Sequence, residues 1–493
     1  MHKIDTKKAL LLLIQDLALL LGISTLFAIP WGFKNYPLQY QWNVFFVLAA
    51  DTGGADSNTG MSIIKGFVIP TIIAFAVYKC LLYFFVERKK LLKINETVSL
   101  ITLAAALSIF TVSTKFWKYF EISKTVLGSA QKSDFYEENF ISEENFKIIS
   151  PDKKRNLIYI FMESMEPGFT SVEKGGILKE DLIPNLTKIA EENISFGDTG
   201  KTVSGGINLA GTSWTVAGLL SKTSGVPYFM PFSGEKKCLP NLKKLGDFLY
   251  EMDYNLIFSM GSEKRFENRD SVLESQHFEI HDIDWYKKNN WLQADYQVFW
   301  GFEDAKLYDF AKKELDLLGK SEKPFCYALL TVDTHFPDGY TCPLCKLEHK
   351  ESIENVFACA DRQLGSFIEW AKTQEWYANT TIVITGDHCY LDAPLNSFIA
   401  RNSDLSRKEP EESRRFLNIF INSKAETENP RKPLNSFDML PTILEAMGNK
   451  IEGKGMYLGR SMFSENKSLS ETYDQDTFEK EIMKKTEKYE SLK

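Results

Sequence analysis

The chain has no surplus of positive charge. Against 58 Lys and Arg stand 66 Asp and Glu, a formal net charge of −8 over 493 residues. A nucleic-acid binder would carry a basic footprint, so the charge balance argues against that class. There is no internal repeat and no low-complexity tract, which removes repeat architectures from consideration. The first apolar run has no small-residue cleavage site and exceeds a leader core in length, so it reads as an anchor and not as a cleaved signal. Among the seven cysteines there is one CxxC, with no second CxxC or His pair to complete a zinc knuckle.

Apolar sequence is concentrated at the beginning. Residues 9–30, 63–86 and 97–117 each approach the roughly 20 apolar residues of a spanning helix. Lys3, Lys7 and Lys8 precede the first run, and Arg88, Lys89, Lys90 and Lys93 lie between the second and third. With basic loops inside, three crossings put everything after residue 118 on the outer side of a bacterial inner membrane. Asp16 and Lys79 fall inside these runs at similar depth, about 10 Å from the inner edge. An unpaired charge there is costly, so the two are expected to form a structural clamp.

Residues 119–150 read as an amphipathic linker, 151–465 as the catalytic domain and 466–493 as a polar, charged tail. Within the domain, strands are expected at 156–162, 255–260, 325–332, 381–385 and 416–421, with helices at 183–193, 240–251, 303–318 and 355–376. The alternation predicts an α/β fold, a mostly parallel sheet with helices on both faces. Ligands bind such sheets beyond the carboxyl ends of the strands.

Three strand ends carry chemistry. NLIYIFM ends in Glu163, FCYALLTV runs into Asp333-Thr334-His335, and TIVIT leads through Gly386 to Asp387-His388. Carboxylates with imidazoles suit one divalent ion, Zn²⁺ or Mn²⁺, better than Mg²⁺, which prefers oxygen ligands alone. The segment 201–228 is rich in Gly, Ser and Thr and passes into a helix after Trp214. A hydroxyl at that helix start, from Thr212, Ser213 or Thr215, would lie where helix N–H groups favour anions. A metal beside it would activate it as a nucleophile. The alternative is an ordinary helix cap.

In their order, Glu163, the Thr-rich helix start, His335 and Asp387-His388 resemble the lipoteichoic acid synthase and phosphoglycerol transferase family. That family is sulfatase-like and belongs to the alkaline phosphatase superfamily. The resemblance covers about residues 150–465. It implies that Glu163, Asp387 and His388 bind the metal together with Thr215, and that Thr215 is the nucleophile. His335 in THFP is implied to touch the transferred phosphate, and Arg269 in ENRD to bind the head group. WGFED (300–304) and FDMLPTILEAMG (437–448) match structural segments of the family. Lipoteichoic acid synthases have an aromatic residue before that Asn-Arg, where this chain has Glu267. SGVPYFMPF (224–232) is closer to phosphoglycerol transferases that act on periplasmic glucans.

The implied activity is transfer of a phosphoglycerol head group from phosphatidylglycerol, through a phospho-threonine, to a periplasmic or cell-surface glycan. Phosphoethanolamine transfer to lipopolysaccharide is the alternative, favoured by an acidic Glu267 that could pair with an ammonium. A sulfatase-like phosphodiesterase is a further one, although sulfatases need a Cys or Ser converted to an aldehyde, which Thr215 cannot become. On the outer side disulfides are permitted, so a disulfide is expected either within the Cys342-Pro343-Leu344-Cys345 motif or between that motif and Cys359. Glu166, His277 and His281 have no motif partners and read as surface or satisfied structural residues.

Overall fold

The computed structural model describes residues 16–27 (apart from 18, 21 and 25), 64–84, 133–198, 203–229, 238–336, 338–390, 414–484 and 486–493. The chain divides into two compact units, residues 1–42 with 55–127, and residues 43–54 with 128–493. In the first unit a π-helical turn, Ile64–Val68, leads into the α-helix Ile69–Leu82. Lys79 Nζ donates to Asp16 Oδ2 at 2.5 Å, so the expected clamp is made. Ile72, Ile73 and Val77 are each more than half exposed. Among the described residues no helix is long and apolar enough to cross a membrane. The expected span 97–117, the basic loop at 88–93 and residues 119–132 of the expected linker lie outside the described residues.

The second unit is built on a seven-stranded sheet. Its strands are β2 (Asn156–Met162), β3 (Gly205–Gly206), β4 (Asn255–Met260), β5 (Glu279–His281), β6 (Phe325–Leu330), β7 (Thr380–Gly386) and β8 (Phe416–Ile421), in the order β3-β8-β7-β2-β6-β4-β5. The five strands from β7 to β5 are parallel, and β8 and β3 close one edge antiparallel. Helices cover both faces, which is why the central strands read as unbroken apolar runs. Along β2, Leu157, Tyr159 and Phe161 enter one core and Ile158, Ile160 and Met162 the other. The first core also takes the helices Thr215–Ser224, Leu245–Glu251 and Met439–Ala446; the second takes Pro184–Glu192, Asp304–Leu318 and Ser352–Lys372.

Three expectations are corrected. β6 stops at Leu330 because Thr331 turns away, its N–H on Phe161 O and its hydroxyl accepting Glu163 N–H. Residues 133–149, expected as linker, are folded: Phe135 and Tyr136 are buried and β1 (Lys147–Ile149) pairs with β9 (Lys450–Glu452). Residues 466–493, expected as a tail, carry short helices that bury Phe478, Ile482, Tyr489 and Leu492 in the first core. Phe135 packs on Phe478 and Tyr136 on Tyr489, with ring centroids 5.6 and 5.8 Å apart. A handful of apolar residues suffices to dock a polar helix, so mean polarity misjudges such segments.

Candidate active site

Register brings the first two carboxylates together. β2 and β7 run parallel with Met162 opposite Gly386, so Glu163 and Asp387 leave the sheet side by side at its carboxyl edge. Glu163 is pinned through both backbone groups: its N–H donates to Thr331 Oγ1 at 2.9 Å and its carbonyl accepts from Thr334 Oγ1 at 2.6 Å. The chain then turns through Ser164, at φ +56°, whose N–H donates to Asp387 Oδ1 at 2.7 Å. Gly386 admits no side chain, since a Cβ would lie 2.1 Å from the Met165 carbonyl oxygen.

The helix Thr215–Ser224 lies directly against this edge. A Cβ on Gly218 would stand 2.1 Å from the Asp387 carbonyl oxygen, so glycine is what permits the approach. The helix cap is Trp214, in extended conformation and with no side-chain cap bond; Thr215 is the first helical residue. Its hydroxyl is therefore not occupied in capping. Thr215 Oγ1 is 3.4 Å from Glu163 Oε2 and 3.4 Å from His388 Nε2. Thr212 is buried and closes a turn instead, donating to Leu209 O at 2.8 Å and accepting from Leu209 N at 2.9 Å.

His388 Nδ1 lies 2.8 Å from Cys389 O, so Nδ1 carries a proton and, in the neutral ring, Nε2 is the nitrogen that can bind a cation. That atom is 3.5 Å from Glu163 Oε1 and 3.4 Å from Asp387 Oδ2. Asp387 Oδ1 accepts from Ser164 N and His388 N, whereas Oδ2 is buried without a hydrogen-bond partner. Burial, together with the neighbouring Glu163 charge, pushes the Asp387 carboxyl up to about 6. Burial acts to lower His388, but Asp387 and Glu163 outweigh it and leave the imidazole above its ordinary value. One donor atom from each of Glu163, Asp387 and His388 lies within 4.8 Å of the others. The carboxylates of Glu163 and Asp387, the latter with its unpartnered Oδ2, and the imidazole of His388 fit a divalent cation, which would take one donor atom from each.

The remaining expected residues stand around this cluster. His335 Nδ1 is 2.9 Å from Phe336 O, and its ring lies 4.7 Å from the Trp300 ring. Burial lowers it to about 4, so it is a neutral imidazole with a lone pair at Nε2. Arg269 is buried and held by Phe266 O, Ser262 Oγ and Glu263 O at 3.0, 2.8 and 3.1 Å. Glu267, at φ +58°, is buried beside it, takes a hydrogen bond from the Val216 N–H, and keeps Oε2 unpartnered. Burial raises the Glu267 carboxyl and Arg269 opposes the rise. Asp304 of WGFED accepts the N–H groups of Val332 and Asp333 at 2.8 and 3.1 Å and so holds the turn leading to His335. Glu166 and His281 are satisfied structural residues, on Arg414 and Glu314; His277 stacks on Tyr250.

Lys222 escaped sequence reading. Its Nζ donates to Asp387 O at 2.7 Å and lies 4.0 Å from the Phe416 ring, fully buried. Thr215, Gly218 and Lys222 share one helix face by their spacing, a signal that a lysine in an apolar helix could have given. Burial lowers Lys222 to about 7. The unfolded chain thus binds more protons than the folded one between about 7 and the ordinary lysine range, so stability rises with pH across that window. Lys222→Met is expected to flatten the rise, seen as a smaller gain in Tm with pH than in the parent.

Residues 155–449, more than half of the chain, match the family model described as Sulfatase. The chain belongs to the sulfatase family. This sulfatase-family chain is 30% identical over 335 residues to Phosphoglycerol transferase I of Escherichia coli strain 55989, across 66% of this chain and 41% of the relative. The protein of the same name from Escherichia fergusonii is 28% identical over 337 residues, with the same coverage. The chain therefore spans about two-fifths of the length of these curated relatives. The crystal structure of the lipoteichoic acid synthase LtaP from Listeria monocytogenes is 18% identical, with a TM-score of 0.50 over 68% of this chain and 80% of that one, a likeness of fold. The family resemblance expected from the strand-end motifs is shown by these matches.

Proposed function

We propose that this chain is a membrane-anchored, metal-dependent transferase that moves phosphoglycerol from phosphatidylglycerol to a hydroxyl of a periplasmic or cell-surface glycan. The observation that carries the reading is the Thr215 hydroxyl, free of capping duty and 3.4 Å from both Glu163 and His388. Glu163, Asp387, His388 and Thr215 would hold manganese or zinc, which supplies charge neutralisation and a lowered pKa for the threonine hydroxyl. Thr215 Oγ1 gives up its proton and attacks phosphorus, the bond from phosphorus to the diacylglycerol oxygen breaks, and that oxygen takes up a proton in place of the one threonine lost. A glycan hydroxyl then attacks the phospho-threonine and releases Thr215. The neutral His335 offers its Nε2 lone pair to a hydroxyl at the transferred group, and Arg269 supplies fixed positive potential beside the phosphate. The exposed Ile72, Ile73 and Val77 support the reading of the first unit as part of an inner-membrane anchor, and the three apolar runs with their flanking basic residues support a multi-pass anchor with the catalytic domain outside. The test is the mass of the adduct on Thr215 after incubation with mixed phospholipids; a mass without phosphoglycerol or another head group overturns transfer.

Phosphoethanolamine transfer to lipopolysaccharide is the second reading, and the unpartnered Glu267 oxygen favours it. An ammonium paired with a buried carboxylate contributes about 1.5–3 kcal/mol, tenfold or more. If ethanolamine is the head group, Glu267→Gln is expected to cut Thr215 labelling by phosphatidylethanolamine at least that far and to spare labelling by phosphatidylglycerol. If glycerol is the head group, the same change is neutral or helpful with phosphatidylglycerol. Competition between the two labelled lipids separates these results.

A further inference from the structure

Between His335 and the helix Ser352–Lys372 the chain carries Cys342-Pro343-Leu344-Cys345. Cys345 N donates to Cys342 O at 3.0 Å, a tight turn. Cys359, within the helix, meets it. Cys342 Sγ is 3.7 Å from Cys345 Sγ and 3.8 Å from Cys359 Sγ, and the three sulfurs lie within 4.8 Å of one another. Cys342 is thus almost equidistant from two thiols, and neither pair is singled out for a disulfide. Two sulfurs bound to one tetrahedral zinc at about 2.3 Å would themselves stand about 3.8 Å apart.

Gln363, four residues after Cys359 on the same helix face, brings a fourth group. Its Nε2 is 3.3 Å from Cys359 Sγ and 3.7 Å from Cys342 Sγ, while its buried Oε1 has no hydrogen-bond partner. A half-turn of the carboxamide exchanges the two atoms and puts the oxygen at those distances. A sulfur and an oxygen sharing a tetrahedral zinc are about 3.6 Å apart. Four of the six edges of such a tetrahedron are thus present, at 3.3 to 3.8 Å, and the Cys345–Cys359 edge is no longer than 4.8 Å.

We propose that Cys342, Cys345, Cys359 and Gln363 form a structural zinc site, separate in place and in donor type from the Glu163, Asp387 and His388 cluster. The three thiols lose their protons on binding. The ion fastens the segment that follows His335: Gly339 N donates to His335 O and Tyr340 N to Asp333 O, so the chain two residues before Cys342 is tied to the turn that carries His335. His335 becomes a positioned group, held from its own turn on one side and from the helix on the other.

The test uses the full chain in detergent, stripped with chelator and reloaded with zinc or cobalt. The parent is expected to give a thiolate-to-cobalt charge-transfer absorption in the near-ultraviolet that Cys359→Ser abolishes and Asp387→Asn retains. Elemental analysis of zinc-loaded protein is expected to show one equivalent fewer in Cys359→Ser than in the parent. Gln363→Ala, which keeps all three thiols, is expected to fold and to shift the cobalt bands, so the idea stays testable if the cysteine variant is unstable. Denaturing alkylation of the unreduced parent that reveals a disulfide among these cysteines overturns the proposal. So does a cobalt spectrum without thiolate absorption. Neither result touches the transferase reading, which the Thr215 adduct tests.

Discussion

Thr215→Ala is expected to lower transfer by at least about three orders of magnitude, the scale seen when a covalent nucleophile is removed, while the domain unfolds at nearly the parent temperature. The stability expectation follows from the helix start. Thr215 is not the cap, and its hydroxyl makes only two long contacts of 3.4 Å, so truncation should cost within about 0.5–1 kcal/mol. Thr212→Ala is expected to show the opposite profile. Its hydroxyl both donates to Leu209 O and accepts from Leu209 N in a buried turn, so alanine should cost about 1–2 kcal/mol of stability and leave the folded fraction active. Adduct mass spectrometry, turnover and thermal unfolding on the two variants decide the matter. An active Thr215→Ala beside a dead but folded Thr212→Ala would mean that the nucleophile is misassigned.

Removing an anionic ligand should have the next largest effect. Asp387→Asn and Glu163→Gln are each expected to weaken divalent-metal binding by at least about a hundredfold, since even partners one shell further out are worth ten- to a hundredfold. Binding by the parent should loosen as pH falls through about 6, where a proton competes for Asp387, and that dependence should flatten in Asp387→Asn. A carboxyl whose folded pKa is raised makes the metal-free fold less stable as pH rises through that value. Chelator-treated Asp387→Asn should therefore be no less stable than the chelator-treated parent above about pH 6. Asparagine can still accept the Ser164 and His388 N–H groups, so the backbone turn is kept. Calorimetric metal titration and unfolding of the stripped proteins check both statements, and unchanged affinity in both variants would remove the basis for the metal site.

Much of the domain was legible locally. A strand buried on both faces reads as a short apolar run wherever it pairs, so β2, β4 and β8 were placed to the residue. The same property hides direction: nothing in FLNIFI says that β8 runs antiparallel to β7. Edge strands of two and three residues, β3 and β5, carry too little pattern to be read. The chain's entry and exit segments misled through their polarity, because the few aromatic residues that dock them find their partners more than three hundred positions away.

The sequence by itself determined that Glu163 and Asp387-His388 stand at strand ends and that His335 follows a third strand, which stops at Leu330, because hydrophobic period and its abrupt stop are local properties of the chain. The residue pattern also showed that a hydroxyl opens the following helix but left three candidates, among which only the family resemblance pointed to Thr215. Tertiary structure decided where each hydroxyl lies. Gly218 lets the helix approach Asp387, and this contact turns Thr215 toward Glu163 and His388 while Thr212 is spent on its own turn. Tertiary structure also put Glu267 against Val216 and Arg269, placed Lys222 under Asp387, and brought Cys359 and Gln363 to the CxxC turn. Each of these depends on which strands are neighbours and how closely a helix lies on them. Sheet order and packing distance are set by the whole core at once, and no window of sequence contains them.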